Sequence, residues 1–88
     1  MSAPRLFLVV QPGCHTCRLS KPRVLSAAAE LRLPVTVVDI TVVDWRADWT
    51  PTLTPAMILS DGRKGKAKVR EGFVNSKEEA LAWLRQNL

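Results

Sequence analysis

Residues 5–25 read RLFLVVQPGCHTCRLSKPRVL and join a β-prone run to a helix-prone run through a Pro-Gly loop. The run from Arg5 to Val10 predicts a strand, and Gln11-Pro12-Gly13 predicts the loop that ends it. Apolar residues then recur at helical spacing from about Thr16 to Leu33. Pro22 lies inside that pattern, where a proline is expected to kink a helix. The chain is therefore predicted to open with a strand, a loop and a helix.

The remaining segments predict the order β-α-β-α-β-β-α. Further strands are expected over Val35 to Ile40, Ala56 to Ser60 and Lys66 to Arg70, a short helix from Thr41 through Trp45 and Trp49, and a final helix behind the capping signal Ser76-x-x-Glu79. A helical crossover makes the first two strands parallel, whereas the last two form an antiparallel hairpin that turns at Asp61-Gly62. We expect an α/β fold with a four-stranded mixed sheet and helices on both faces, in one domain of residues 1–88.

The net charge of +5 comes from a single basic block within residues 63–70, because the other residues carry equal numbers of each sign. The block consists of Arg63, Lys64, Lys66, Lys68 and Arg70. Its alternation with Ala67 and Val69 favours an edge strand with one solvated face, and a docking surface is the alternative. No aromatic residue is interleaved with these charges, so nucleic-acid binding is not expected.

The longest uninterrupted apolar stretch, Leu6 to Val10, is far too short to span a bilayer or to form the core of a signal peptide. Neither a membrane-spanning segment nor an export signal is therefore expected. Two cysteines at C-x-x-C spacing cannot build a disulfide scaffold, and they indicate chemistry in a reducing compartment. The expected location is the cytoplasm.

The cysteine motif falls where the first strand passes into the first helix. Unpaired N–H groups and the dipole at a helix start stabilise an anion, so Cys14 is expected to be more thiolate than a free cysteine. Arg18, Lys21 and Arg23 add positive charge along the same helix, and a protonated His15 would act in the same sense. Cys17 lies close enough to resolve a mixed disulfide on Cys14.

Two other interpretations of the cysteine pair remain open. One is that the thiols are inert, and the other is that they hold a metal ion or an iron–sulfur cluster. Zinc sites require four ligands, and His15 directly follows Cys14, so a metal would need a dimer. The redox interpretation requires no cofactor beyond the Cys14–Cys17 disulfide.

Three elements of the chain resemble the thioredoxin and glutaredoxin superfamily. Cys14-His15-Thr16-Cys17 followed by Pro22 is similar to the active-site helix, Thr54-Pro55 to the cis-proline site, and Gly72 through Leu81 to the closing loop and helix. The resemblance covers nearly the whole chain and implies a minimal thioredoxin-like fold. Proline is the residue for which a cis bond is least costly, and a cis bend would leave Thr54 free to pair with an extended substrate.

The sequence also departs from the family pattern. Pro12 and Gly13 stand where thioredoxins have a Trp before the motif, and Leu8 stands where they place a buried carboxylate. Thr54-Pro55 lacks the usual intervening residue of glutaredoxins, and Gly72 lacks a second glycine beside it. The glutathione-binding signatures are therefore incomplete.

The resulting hypothesis is a monomeric thiol–disulfide oxidoreductase that reduces protein disulfides. Its predicted site comprises catalytic Cys14 and Cys17, tuning residues Gly13, His15, Thr16 and Lys21, and substrate-binding residues Thr54, Pro55 and Gly72. The electron donor would be a disulfide reductase or glutathione. The alternatives are a glutathione-linked glutaredoxin activity, a dimeric metal or iron–sulfur module, and an adaptor that docks through the basic hairpin. Trp45 and Trp49 share a helix face in this scheme and either pack on the sheet or form a rim near the cysteines.

Overall fold

The structure is a computed structural model and describes residues 4–41, 51–60 and 67–88. The elements in chain order are β1 (Arg5–Val10), α1 (His15–Glu30), β2 (Val35–Asp39), β3 (Ala56–Ser60), β4 (Ala67–Glu71) and α2 (Lys77–Asn87). The strands form one four-stranded sheet in the order β2-β1-β3-β4. β1 pairs with β2 in parallel and with β3 antiparallel, and β3 pairs antiparallel with β4. The predicted mixed sheet is confirmed.

The side chains of β1 point alternately to the two faces of the sheet, as the pleat of a strand requires. Leu6 and Leu8 are fully buried on the face that carries both described helices. The other members of that cluster are Val24, Ala27, Ala28, Leu33, Met57, Leu59, Val74, Ala80, Leu81 and Leu84. Trp83 is half-buried at the edge of this core. Val9, Ala56 and Ile58 are buried on the opposite face. The helix predicted between Thr41 and Trp49 lies outside the described residues.

α1 ends three residues earlier than the apolar pattern predicts. Arg32 adopts φ +53°, the left-handed conformation that stops a helix. Its N–H donates to the carbonyl of Ala29, and the N–H of Leu33 reaches back to Ala28 at 2.9 Å. These two bonds form a Schellman motif, which satisfies carbonyls of the last turn. No local signal predicts this end of the helix, because a glycine usually occupies the position that Arg32 takes here.

β4 begins at Ala67 and lies at the edge of the sheet, which confirms the edge-strand interpretation. Lys68 is exposed, but Arg70 is not simply solvated. Its side chain is 20% exposed and forms an ion pair with Glu79. The basic block is therefore not a uniform charged surface, because Arg70 is used to tie β4 to α2. Arg63, Lys64, Lys66 and the Asp61-Gly62 turn lie outside the described residues.

The start of α2 follows the predicted capping signal in part. The Ser76 hydroxyl accepts from the N–H of Glu79 at 3.1 Å, as expected of an N-cap serine. The Glu79 carboxylate accepts from the backbone and side-chain N–H groups of Asn75 at 3.2 and 3.1 Å. These bonds lower the pKa of Glu79, the side-chain bond from Asn75 having the largest effect and the charge of Arg70 a smaller one. The carboxylate of Glu79 thus holds the segment that leads into α2.

Candidate active site

A tight turn carries the chain from β1 to α1. The N–H of Cys14 donates to the carbonyl of Gln11 at 3.1 Å, which closes a four-residue turn. Gly13, the third residue of the turn, has φ +76°, close to the value that a type II turn requires there. Pro12 supplies the φ preferred at the second position. The Pro-Gly pair therefore has a structural role, since it delivers Cys14 to the start of the helix.

Cys14 is the N-cap of α1. Its backbone is extended, and its Sγ accepts from the N–H of Cys17 at 3.1 Å. The Oγ1 of Thr16 lies 3.3 Å from the same sulfur. The sulfur thus takes the place that a serine or aspartate oxygen occupies in most N-caps. Because these groups and the helix dipole favour negative charge, the arrangement stabilises a thiolate on Cys14 once the pair is reduced.

The two cysteines differ in their exposure. They form a disulfide with 5.2 Å between their Cα atoms. Cys14 is partly exposed, whereas Cys17 is only 4% exposed and packs into the core side of α1. A partner molecule therefore reaches the sulfur of Cys14 more easily than that of Cys17. This difference favours the predicted roles of nucleophile for Cys14 and resolving thiol for Cys17, which remain predictions.

The Thr54-Pro55 segment lies beside Cys14, although the residues are 40 positions apart in the chain. The hydroxyl of Thr54 is 3.7 Å and its carbonyl oxygen 3.8 Å from Cys14 Sγ. The peptide bond between Thr54 and Pro55 is cis, and Pro55 is buried. The fold thus brings together the two segments that the sequence assigned to one site.

The end of β4 supports this segment from the far side. The N–H of Gly72 donates to the carbonyl of Pro55 at 2.8 Å. The carboxylate of Glu71 accepts from the backbone N–H and the hydroxyl of Thr52, both at 2.9 Å. Gly72 itself has φ +103°, a conformation that suits glycine. Gly72 was predicted to bind substrate; in the structure its N–H donates to Pro55, and its carbonyl accepts from the Arg70 side chain at 3.4 Å.

The cationic residues of α1 lie at different distances from the cysteines. His15 is the first residue of the helix and is exposed. Lys21 is also exposed, but seven residues beyond Cys14 correspond to about 10 Å along a helix axis. Salt screens exposed charges over about 8 Å, so its influence on Cys14 should be small. Arg23 donates to the carbonyl of Val74 at 2.8 Å and stacks 5.3 Å from the ring centre of Phe73. The guanidinium of Arg23 therefore holds α1 against the segment that precedes α2.

No buried carboxylate lies among the described residues. Leu8 is fully buried in the core, and the buried polar residues in this part of the chain are Ser20 and Ser60. Asp39 lies at the end of β2, where its carboxylate accepts from the hydroxyl and N–H of Thr41 at 2.6 and 2.8 Å. These bonds lower the pKa of Asp39, the hydroxyl contributing most. Asp39 is thus a carboxylate that caps the turn after β2.

Several residues around the site were not predicted from the sequence. Gln11 accepts from the Thr54 hydroxyl through its side chain at 3.2 Å, and Glu71 holds Thr52. Ser20, fully buried on α1, accepts from the N–H of Val74 at 3.0 Å. Each contact joins segments far apart in the chain, so no local pattern signals it. Trp45 and Trp49 lie outside the described residues.

A metal-binding cluster and a membrane-spanning helix are both absent from the part of the chain that the structure describes. No three His, Cys, Asp or Glu side chains cluster there in a way that could hold a metal ion. No helix among those residues is long and apolar enough to cross a membrane.

Comparisons with known proteins show the fold. No protein-family model matches the sequence, and no curated protein matches it. A solved malarial protein is 16% identical, with 98% of each chain covered and a TM-score of 0.75. The J-Trx1 fragment of ERdj5 is 21% identical over 97% of this chain and 41% of that one, with a TM-score of 0.71. The periplasmic thioredoxin SoxS from Paracoccus pantotrophus, in its reduced form, is 20% identical over 96% of this chain and 97% of that one, with a TM-score of 0.66.

At these identities the similarity establishes the fold alone. The chain has a minimal thioredoxin-like α/β fold, as its resemblance to that superfamily implied.

Proposed function

We propose that this protein is a thiol–disulfide oxidoreductase that reduces protein disulfides through Cys14 and Cys17. The observation that carries the proposal is the position of Cys14. Cys14 is partly exposed and is the N-cap of α1, and its sulfur is bonded to that of the buried Cys17 and lies within 4 Å of Thr54. A helix start favours the thiolate, and the thiolate is the nucleophile in disulfide exchange.

The first step of the proposed reaction is attack on the substrate. The Cys14 thiolate attacks one sulfur of the substrate disulfide, so a mixed disulfide forms while the substrate's own S–S bond breaks. The second substrate sulfur leaves as a thiolate and takes a proton from water. Thr54 and Pro55 provide the docking edge, because an extended substrate segment can pair with the backbone next to Cys14.

The second step releases the substrate. Cys17, deprotonated to solvent or to the departing thiolate, attacks Cys14 Sγ and forms the Cys14–Cys17 disulfide. Its Cα lies 5.2 Å from that of Cys14, within the range of ordinary disulfides. The substrate leaves with two thiols, so two electrons have passed to it. A disulfide reductase or glutathione then returns two electrons to the protein, and the incomplete glutathione signatures favour the reductase.

Trapping tests the assignment of roles. We expect Cys17→Ser to accumulate a mixed disulfide with insulin or another disulfide-containing substrate, because no second thiol then resolves the bond on Cys14. Cys14→Ser serves as the matched control and should trap little, since Cys17 is only 4% exposed. Equal trapping by the two variants would refute the assignment.

Insulin reduction tests the activity and its electron donor. The wild-type protein should accelerate insulin-disulfide reduction when supplied with electrons by a flavin disulfide reductase, and more slowly with glutathione. A double Cys14→Ser, Cys17→Ser variant provides the blank. No activity with either donor would refute the proposal. Coloured protein with stoichiometric iron, or colourless protein with stoichiometric zinc, would favour the dimeric metal module.

The proposal includes a monomer in the cytoplasm, with no nucleic-acid or membrane partner. Its location rests on the cysteine usage of the sequence, and fractionation of cells expressing the protein tests it. Size-exclusion chromatography with light scattering tests the monomer.

A further inference from the structure

Gln11 contacts both halves of the site. Its backbone carbonyl accepts from the N–H of Cys14 at 3.1 Å, within the turn that precedes α1. Its side-chain Oε1 accepts from the hydroxyl of Thr54 at 3.2 Å. One residue therefore links the loop that carries the reactive sulfur to the segment that lies across from it.

The Thr54 hydroxyl has one hydrogen and two acceptors within reach. Gln11 Oε1 lies at 3.2 Å and Cys14 Sγ at 3.7 Å. While Cys14 is in the disulfide, its sulfur is a weak, neutral acceptor, and the hydrogen goes to the amide oxygen. Reduction to the thiolate makes the same sulfur a charged acceptor, and hydrogen bonds to charged groups are roughly twice as strong as neutral ones. The competition for this hydrogen therefore depends on the redox state.

We propose that Gln11 is a positioning residue that makes the Cys14–Cys17 couple more reducing by competing with Cys14 for the Thr54 hydroxyl. Its amide oxygen stabilises the disulfide form, in which it holds the hydroxyl, and withholds a donor from the thiolate. Both effects act against the reduced protein. The inference rests on the proposed function only in that the pair cycles between disulfide and dithiol.

Equilibration with glutathione tests the inference. Two glutathione thiols give two electrons and two protons to the Cys14–Cys17 bond, which breaks, and glutathione disulfide forms. At pH 7, Gln11→Leu should raise the ratio of dithiol to disulfide about two- to fivefold, as for the loss of one exposed hydrogen bond. The pH midpoint of Cys14 alkylation should fall as well. Gln11→Ala, which removes the same acceptor, should shift both readouts in the same direction.

A double-mutant cycle shows whether Gln11 acts through Thr54. In a Thr54→Val background the hydroxyl is absent, so adding Gln11→Leu should leave the dithiol ratio unchanged. Gln86→Leu, an exposed glutamine on α2, controls for the substitution itself and should have no effect.

Three results would overturn the inference. One is an unchanged ratio in Gln11→Leu. A second is a shift toward the disulfide, which would mean that the Gln11 amide donates to Thr54. The third is an equal shift in the Thr54→Val background, which would mean that Gln11 acts on Cys14 through the turn. Because the equilibrium requires no protein substrate, failure to reduce insulin would refute the proposed function and leave this test intact.

Discussion

Replacing Ser20 with Ala should destabilise the protein without changing its redox chemistry. Ser20 is fully buried on α1, and its Oγ accepts from the N–H of Val74 at 3.0 Å. Val74 is itself only 1% exposed, so water cannot take over as the acceptor. Ser20→Ala leaves a buried N–H without its partner, and such a group costs about 1–3 kcal/mol.

Unfolding measurements on matched variants isolate this hydrogen bond. Ser26 is exposed on the same helix, so Ser26→Ala makes the same gain in helix propensity without losing the contact. We expect the free energy of unfolding of Ser20→Ala to lie about 1–3 kcal/mol below that of Ser26→Ala. In a domain of this size each kcal/mol lowers Tm by about 4–8 °C.

The comparison uses urea and thermal unfolding of the oxidised proteins, followed by circular dichroism. Two variants with free energies of unfolding within about 0.5 kcal/mol of each other would refute the reasoning, because surface-like substitutions fall in that range. A change in the glutathione equilibrium of Ser20→Ala would show that Ser20 also influences the cysteines.

Three further changes test the turn, a carboxylate and the motif. Gly13→Ala should lower the free energy of unfolding by about 1–2 kcal/mol, since φ is +76° and no side-chain clash adds to the backbone strain; Gly13→Asn should cost less. Hydrogen bonds from Asn75 lower the pKa of Glu79, so their stabilisation is present above the free glutamate pKa of about 4.3 and is lost as the pH falls. Glu79→Gln should therefore flatten the acid limb of a stability–pH profile. His15→Ala should make the reduction potential more negative by at most tens of millivolts, because about 30 mV corresponds to one pKa unit on Cys14; an equal or less negative potential would exclude that role.

The strands were predictable because their signals are local. β1 and β3 occupy the predicted residues, and β4 is displaced by one position. The cap of α2 was also predictable, since Ser76 and Glu79 stand at the spacing that the cap requires. The end of α1 was not, because Arg32 takes a conformation that single-sequence reasoning assigns to glycine or asparagine.

The reactive residue of the site was easier to predict than the tertiary contacts that hold the site together. The position of Cys14 at a helix start follows from the Pro-Gly turn and the helical pattern after it. By contrast, the bonds from Glu71 to Thr52 and from Gly72 to Pro55 depend on how β4 lies beside β3. Arg70 was assigned to a solvated face by its alternation, but its pairing with Glu79 depends on where α2 packs. Such tertiary contacts leave no periodicity in the sequence.

The charged residues at the two ends of α1 do not match the preference of the helix dipole, and each end is compensated in a different way. A helix dipole favours acidic residues in the first turn and basic residues in the last. α1 has neither, and its acidic residue Glu30 is the last of the helix. Lys77 and Arg85 of α2 pair with Glu30 at 3.0 and 3.1 Å, and the hydrogen bond and charge of Lys77 lower its pKa most.

At the start of α1, no side chain of the first turn supplies the negative charge that the helix dipole favours. A thiolate on Cys14 would supply it when the pair is reduced, because the sulfur occupies the N-cap position. Oxidation to the disulfide removes that charge and leaves the helix start without it. We therefore expect the charge pattern of α1 to couple the local stability of the helix start to the redox state of Cys14, since sequence preferences are often broken at functional sites.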